Sequence, residues 1–142
     1  MWQELDAAAA LYPVLRQMLH DGLRVGPLQP VEGLVGLAAA ADGNWDVAET
    51  HFRLALAFVD EVGDRLGKPA VQEWYAWMLL RRAGPGDRDH ARVLLDEVIT
   101  SCKAMGMQLS LGEAETMRAS LGNARFSDTR QPRAHRKNDA TA

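Results

Sequence analysis

The chain is poor in the features that support covalent chemistry, membrane insertion or nucleic-acid binding. Its single cysteine, Cys102, excludes an intramolecular disulfide and suits a reducing compartment, so the expected location is the cytoplasm. The opening residues, MWQELD, lack the basic start and apolar core of a signal peptide. The longest apolar run, Gly33 to Ala41, is too short and too rich in small residues to span a bilayer. Basic charge is also scarce where a fold would need it. Residues 1–122 carry 11 Lys/Arg against 17 Asp/Glu, whereas residues 123–142 carry 5 against 2. An acidic body argues against a phosphate-binding surface, which depends on clustered Lys and Arg.

Motifs that carry chemistry are missing as well. The turn GPGDRD, Gly84 to Asp89, precedes a helix but lacks the Lys-Ser/Thr ending of a phosphate loop, and Asp87 and Asp89 would repel phosphate. It reads as an inter-helix turn with Asp87 as N-cap. The four histidines, His20, His51, His90 and His135, have no metal-ligand spacing. His51 reads as a boundary residue. Cys102 falls on an apolar stripe and reads as core. The expectation is therefore a protein that is not an enzyme, with no catalytic residue, no cofactor and no metal.

What is present is helix-forming sequence. Ala, Leu, Arg, Glu and Met dominate, strand-like alternation is lacking, and the fold class expected is all-α. Between Gly43 and Gly63, the residues Trp45, Ala48, Phe52, Ala55, Val59 and Val62 recur at steps of three and four, which makes one apolar stripe. Asn44 is placed as N-cap and Gly63 as left-handed C-cap. Shifting the frame by 43 residues sets Gly43 on Gly86, Ala48 on Ala91, Phe52 on Leu95, Ala55 on Val98, Val59 on Cys102, Val62 on Met105 and Gly63 on Gly106. The preceding helices align too, Val31 with Trp74, Leu34 with Trp77 and Val35 with Met78.

A fixed period of this size is the mark of helical repeats, in which each hairpin buries its apolar face against its neighbours. The expected architecture is an antiparallel helical-hairpin array of five or six helices over residues 1–122. Its units run from Pro30 to Lys68 and from Pro69 to Ser110. A closing helix of an earlier unit is expected from Leu5 to Leu19, followed by a connector from Asp21 to Gln29. The first helix of a third unit begins near Leu111 and uses Ala114, Met117, Ala119 and Leu121. Residues 123–142, without periodicity, are expected to be a disordered basic tail.

The small and large positions Gly36, Ala48, Phe52 and Ala55 resemble the tetratricopeptide pattern, in which small residues allow close helix approach beside a large one. Leu79 and Val98 depart from that pattern, and the period exceeds the usual repeat of about 34 residues. The segments ALYPVL (Ala10 to Leu15), LVGLAAAADGNWDVAETHFRLAL (Leu34 to Leu56), YAWMLLRRAGPGDRDHARVLLDEV (Tyr75 to Val98) and AMGM (Ala104 to Met107) resemble a particular long-unit repeat region. That region, similar to the repeats of the maltose-regulon activator, is the C-terminal part of bacterial signalling ATPases fused to adenylate/guanylate cyclase or LuxR-type domains.

The resemblance implies a non-catalytic interaction or sensor module, in signalling or transcriptional regulation, that binds a protein or peptide partner. The ATPase, cyclase and DNA-binding parts have no counterpart in this sequence, so the chain is expected to be a remnant or a stand-alone relative. If first helices line a concave surface, as the resemblance implies, Glu73, Tyr75, Arg81 and Arg82 are the candidate partner-binding residues. A homodimer through open apolar ends is a further expectation. No membrane partner is expected. The alternative from another class is a nucleic-acid-associated regulator acting through Arg130, Arg133, Arg136 and Lys137.

Overall fold

The computed structural model of the chain describes residues 5–23 and 30–128. They form six helices: α1 (Leu5–His20), α2 (Val31–Ala41), α3 (Trp45–Val62), α4 (Lys68–Arg82), α5 (Asp87–Met105) and α6 (Gln108–Asp128). The fold is all-α, with no strand among the described residues. Each helix packs on the next in chain order, and α4 also touches both α2 and α6. By contrast α1, α3 and α5 make no such contacts with one another among the described residues. The result is helical-repeat-like: α2, α4 and α6 lie side by side, and α4 is in contact with four other helices.

The sequence period is also a backbone period. Gly43 and Gly86, which open the second helix of each hairpin, have φ of +77° and +79°, and Gly63 and Gly106, which close it, both have φ of +70°. These left-handed values suit a residue without Cβ. Two turns 43 residues apart thus have one conformational solution.

The core follows the stripe. Ala48, Phe52, Ala55 and Val59 of α3 are buried, as are their counterparts Ala91, Leu95, Val98 and Cys102 of α5. The pairing of small with large is literal at Gly36. A Cβ built there would lie 3.0 Å from the Phe52 ring. One period on, the same two positions hold Leu79 and Leu95, both fully buried. One hairpin fills the space between its helices with a glycine and a phenylalanine, the other with two leucines. The exchange moves bulk from the second helix of the hairpin to the first, and two leucines together are larger than a glycine with a phenylalanine.

Several details differ from the sequence reading. Val62 is 55 % exposed rather than on the buried stripe. The cause is length: α3 has 18 residues and α2 only 11, spans of about 27 and about 16 Å at the rise of an α-helix, so the end of α3 overhangs its partner. Ala119 is likewise exposed, while Ala114 and Leu121 are buried. Lys68 opens α4 instead of closing the first unit, because the Asp64 carboxylate accepts the N–H groups of Leu66 and Gly67 at 3.1 and 2.8 Å and Pro69 sits in the first turn. Similarly, Gln108 to Ser110 belong to α6. Asn44 occupies the N-cap position but makes no side-chain capping bond.

The domain limit expected at residue 122 falls inside α6, which continues to Asp128. Lack of an apolar stripe from 123 onward does not interrupt a helix already propagating, since each added residue gains a backbone hydrogen bond. The rest of the expected tail, with Arg130, Arg133, Arg136 and Lys137, lies outside the described residues, as does residues 24–29 of the expected connector.

Candidate functional site

Because α4 touches helices on several sides, its residues from Val71 to Leu79 are buried almost without interruption, and Trp74 alone is half-exposed. Tyr75 is 1 % exposed. Its ring stacks on Phe52 of α3 with centroids 5.5 Å apart, and His90 of α5 meets it edge-on at 5.0 Å. The hydroxyl donates to Glu49 Oε1 at 2.8 Å. Arg82 donates from Nη1 to Glu49 Oε2 at 2.6 Å, and from Nε and Nη2 to the two oxygens of Asp87 at 2.8 and 2.7 Å. Arg53 adds a bond from Nη2 to Glu49 Oε1 at 2.8 Å.

Glu49 and Arg53 from α3, Tyr75 and Arg82 from α4, and Asp87 from α5 thus form one network that fastens the first hairpin to the second. Two of the residues expected to face a partner, Tyr75 and Arg82, are therefore internal. Asp87 is also not the N-cap. Gly86 holds that place, and the Asp87 carboxylate points back to accept the Gly84 N–H at 2.8 Å together with the Arg82 fork.

The electrostatics match this arrangement. Burial pushes the Glu49 carboxyl up, and hydrogen bonds from Arg82 and Tyr75 more than offset it, so Glu49 titrates below the ordinary carboxylate range. Asp87 is lowered chiefly by its bond to Arg82. Arg82 is raised above the ordinary guanidinium value by its bonds to Asp87 and then Glu49. Tyr75 is raised, first by burial. A bidentate, charge-assisted pair of this geometry is a strong one, and its charges are already matched internally.

The other two expected residues separate. Arg81 is exposed and lies over the Trp77 ring at 5.7 Å, in reach of a partner. Glu73 is 3 % exposed, and its Oε1 meets no donor. Its neighbour is another carboxyl, Glu113 of α6. Burial, then the charge and hydrogen bond of Glu113, push Glu73 up from 4.5 to about 8, so it holds a proton at neutral pH.

The sign of the resulting pH dependence is fixed. Between 4.5 and about 8 the folded protein keeps a proton that the unfolded chain has released, so stability falls as pH rises through this window. Glutamine mimics the protonated form and cannot ionise. Glu73→Gln should therefore be more stable than the parent at pH 7.5, by up to about 4 kcal/mol, and the gap should close toward pH 4.5. Urea unfolding at the two pH values measures both; a difference that does not change with pH would refute a protonated Glu73.

Several other ionisable or polar groups are engaged as well. His51 of α3 is bonded to Glu32 of α2 at 2.6 Å and is half-buried, in line with its expected boundary position. Gln72 of α4 donates to Glu97 of α5, and Arg88 of α5 donates to the carbonyl of Leu121 in α6. Arg118 of α6 donates from Nε to Asp96 of α5 at 2.6 Å. The Cys102 thiol is fully buried and raised by burial and then by the nearby Glu73, which leaves it unreactive. Among the described residues no group of three or more His, Cys, Asp or Glu could hold a metal, and no helix is long and apolar enough to cross a membrane.

An accessible apolar feature lies on α6. Leu109 is 80 % exposed, and together with Gly112, Glu113, Thr116 and Met117 it borders an open groove along the helix. The sequence carries no signal for this groove beyond a leucine at the register of Leu66, which the structure leaves 66 % exposed. No family model, curated protein or solved structure matches the chain.

Proposed function

We propose that the chain is a non-catalytic interaction module that holds a protein or peptide partner against α6. The observation that carries this reading is that α6 is open on two sides: Leu109 is 80 % exposed on the groove, and about 140° round the helix the repeat has a vacancy. Gly122 of α6 lies in register with Gly36 of α2, two periods earlier. A Cβ at Gly36 would press on Phe52, whereas one at Gly122 would meet nothing within 4 Å. In α2 and α4 this register is covered by the apolar stripe of the following helix; at α6, among the described residues, nothing covers it.

The non-catalytic reading draws support from the groups that could have acted as acids, bases or nucleophiles. Glu49, Tyr75, Arg82 and Asp87 satisfy one another, and Cys102 is buried with a raised pKa. The resemblance to the C-terminal repeats of bacterial signalling ATPases would make this a cytoplasmic sensor part of a regulatory system. A photo-crosslinking residue tests the reading when placed at Leu109 on α6 or, as control, at exposed Leu54 on α3. Discrete adducts from position 109 and none from 54 are the expected result. Identical patterns from the two positions would overturn it.

A further inference from the structure

The groove on α6 has a charge as well as a shape. Leu109, Glu113 and Met117 follow one another at four-residue steps and form a single stripe in which a carboxyl stands between two apolar side chains. Met117 is half-buried against the core and Leu109 is open, while a Cβ at Gly112 would meet nothing within 4 Å, so another backbone can approach closely there. Behind Glu113 lies Glu73, 97 % buried by its exposure of 3 %, with one oxygen lacking any donor.

No cation among the described residues pairs with either carboxyl. Lys103 of α5 and Arg118 of α6 are engaged elsewhere, by Glu115 at 3.4 Å and Asp96 at 2.6 Å. Even with Glu73 protonated, the two carboxyls have no cation beside them, and a docked Lys or Arg would supply one.

Resting on the interaction reading above, we propose that this groove takes an amphipathic helix of a partner protein, which sets apolar side chains on Leu109 and Met117 and one Lys or Arg on Glu113. The four-residue spacing of the stripe matches the neighbouring positions on one face of an approaching helix, and helix-in-groove docking reads such anchors. Thereafter the specificity is electrostatic: the apolar anchors supply affinity, and the carboxyl pair selects for a basic residue between them.

The test uses two labelled synthetic helical peptides of Leu and Ala that differ only in carrying Lys or Glu between the apolar anchors, with fluorescence anisotropy on the full chain. The Lys peptide should bind at least about tenfold more tightly than the Glu peptide. Glu113→Gln should erase that preference, and Leu109→Asp should abolish binding of both. Circular dichroism and thermal unfolding of each variant separate lost binding from lost folding.

Equal affinity for the two peptides, still lost in Leu109→Asp, would overturn the charge assignment and leave the interaction reading standing. No binding of either peptide, with crosslinks still formed at position 109, would overturn the helix-in-groove assignment alone. If replacing Arg130, Arg133, Arg136 and Lys137 by Ser raises affinity for the Lys peptide tenfold, the chain's own basic segment is the occupant. If Leu109→Asp converts a dimer to a monomer, the occupant is a second copy. Either result would overturn the assignment to a partner.

Discussion

An Arg82→Met variant should lose about 3 kcal/mol of unfolding free energy at pH 7, because methionine keeps much of the stem volume but leaves buried Asp87 without its cation and Glu49 with only the exposed Arg53. The Arg82, Glu49 and Asp87 side chains are only 22 %, 20 % and 7 % exposed, so water cannot readily replace the guanidinium. The loss should also depend on pH. Both carboxylates titrate below their ordinary values in the folded protein. Their contribution is therefore complete above the unfolded carboxyl range and disappears as pH falls through the folded values. In Arg82→Met that acid limb should flatten, because little stabilisation remains to be removed. Denaturant titrations between pH 3 and pH 7 measure both effects. A variant as stable as the parent at pH 7 would show that the network is not what joins the hairpins.

Phe52→Ala should be at least as damaging, with a loss of about 3–5 kcal/mol in the same measurement. The ring is fully buried, lies against Gly36, and stacks on Tyr75, so truncation leaves a cavity bounded by two hairpins. The contact at Gly36 gives the prediction a second arm. Gly36→Ala alone gains about 1 kcal/mol of helix propensity but forces a buried ring to shift, at a cost of roughly 1–3 kcal/mol. The second hairpin fills the same register with Leu79 and Leu95. Combining Gly36→Ala with Phe52→Leu should then be less harmful than the sum of the two single changes. Strict additivity would mean that the positions do not share a volume.

The parts of this fold that were legible in the sequence are those set by local chemistry. Glycines at 43, 63, 86 and 106 mark turns because a left-handed residue punctuates a helix whatever surrounds it. The stripe through Ala48, Phe52, Ala55 and Val59 could be read because α3 buries one side only. The candidate site could not be read in the same way. Assigning Tyr75 to a partner assumed that α4 has a wet face opposite Trp74 and Met78. A helix in contact with four others has little such face, and its apolar periodicity loses meaning. The bonds that hold Tyr75 and Arg82 reach Glu49 across 26 and 33 residues, separations at which sequence spacing carries no directional information. Glu113, forty residues from Glu73, was invisible for the same reason.

The two junctions between hairpins share a shape but differ in charge. At the first, Arg53 of α3 stands at the group formed by Glu49 and Tyr75. At the second, the positions one period later are Asp96 of α5 and Arg118 of α6, bonded to each other. Were α6 to settle on α3 in the place of α4, Arg118 would confront Arg53, like against like. Repetition makes every docking edge in a helical array sterically acceptable to the wrong helix, and these unequal pairs give each edge an address. The order of the hairpins is thus written in a few charged side chains, while their shape is written in the glycines and the apolar stripe.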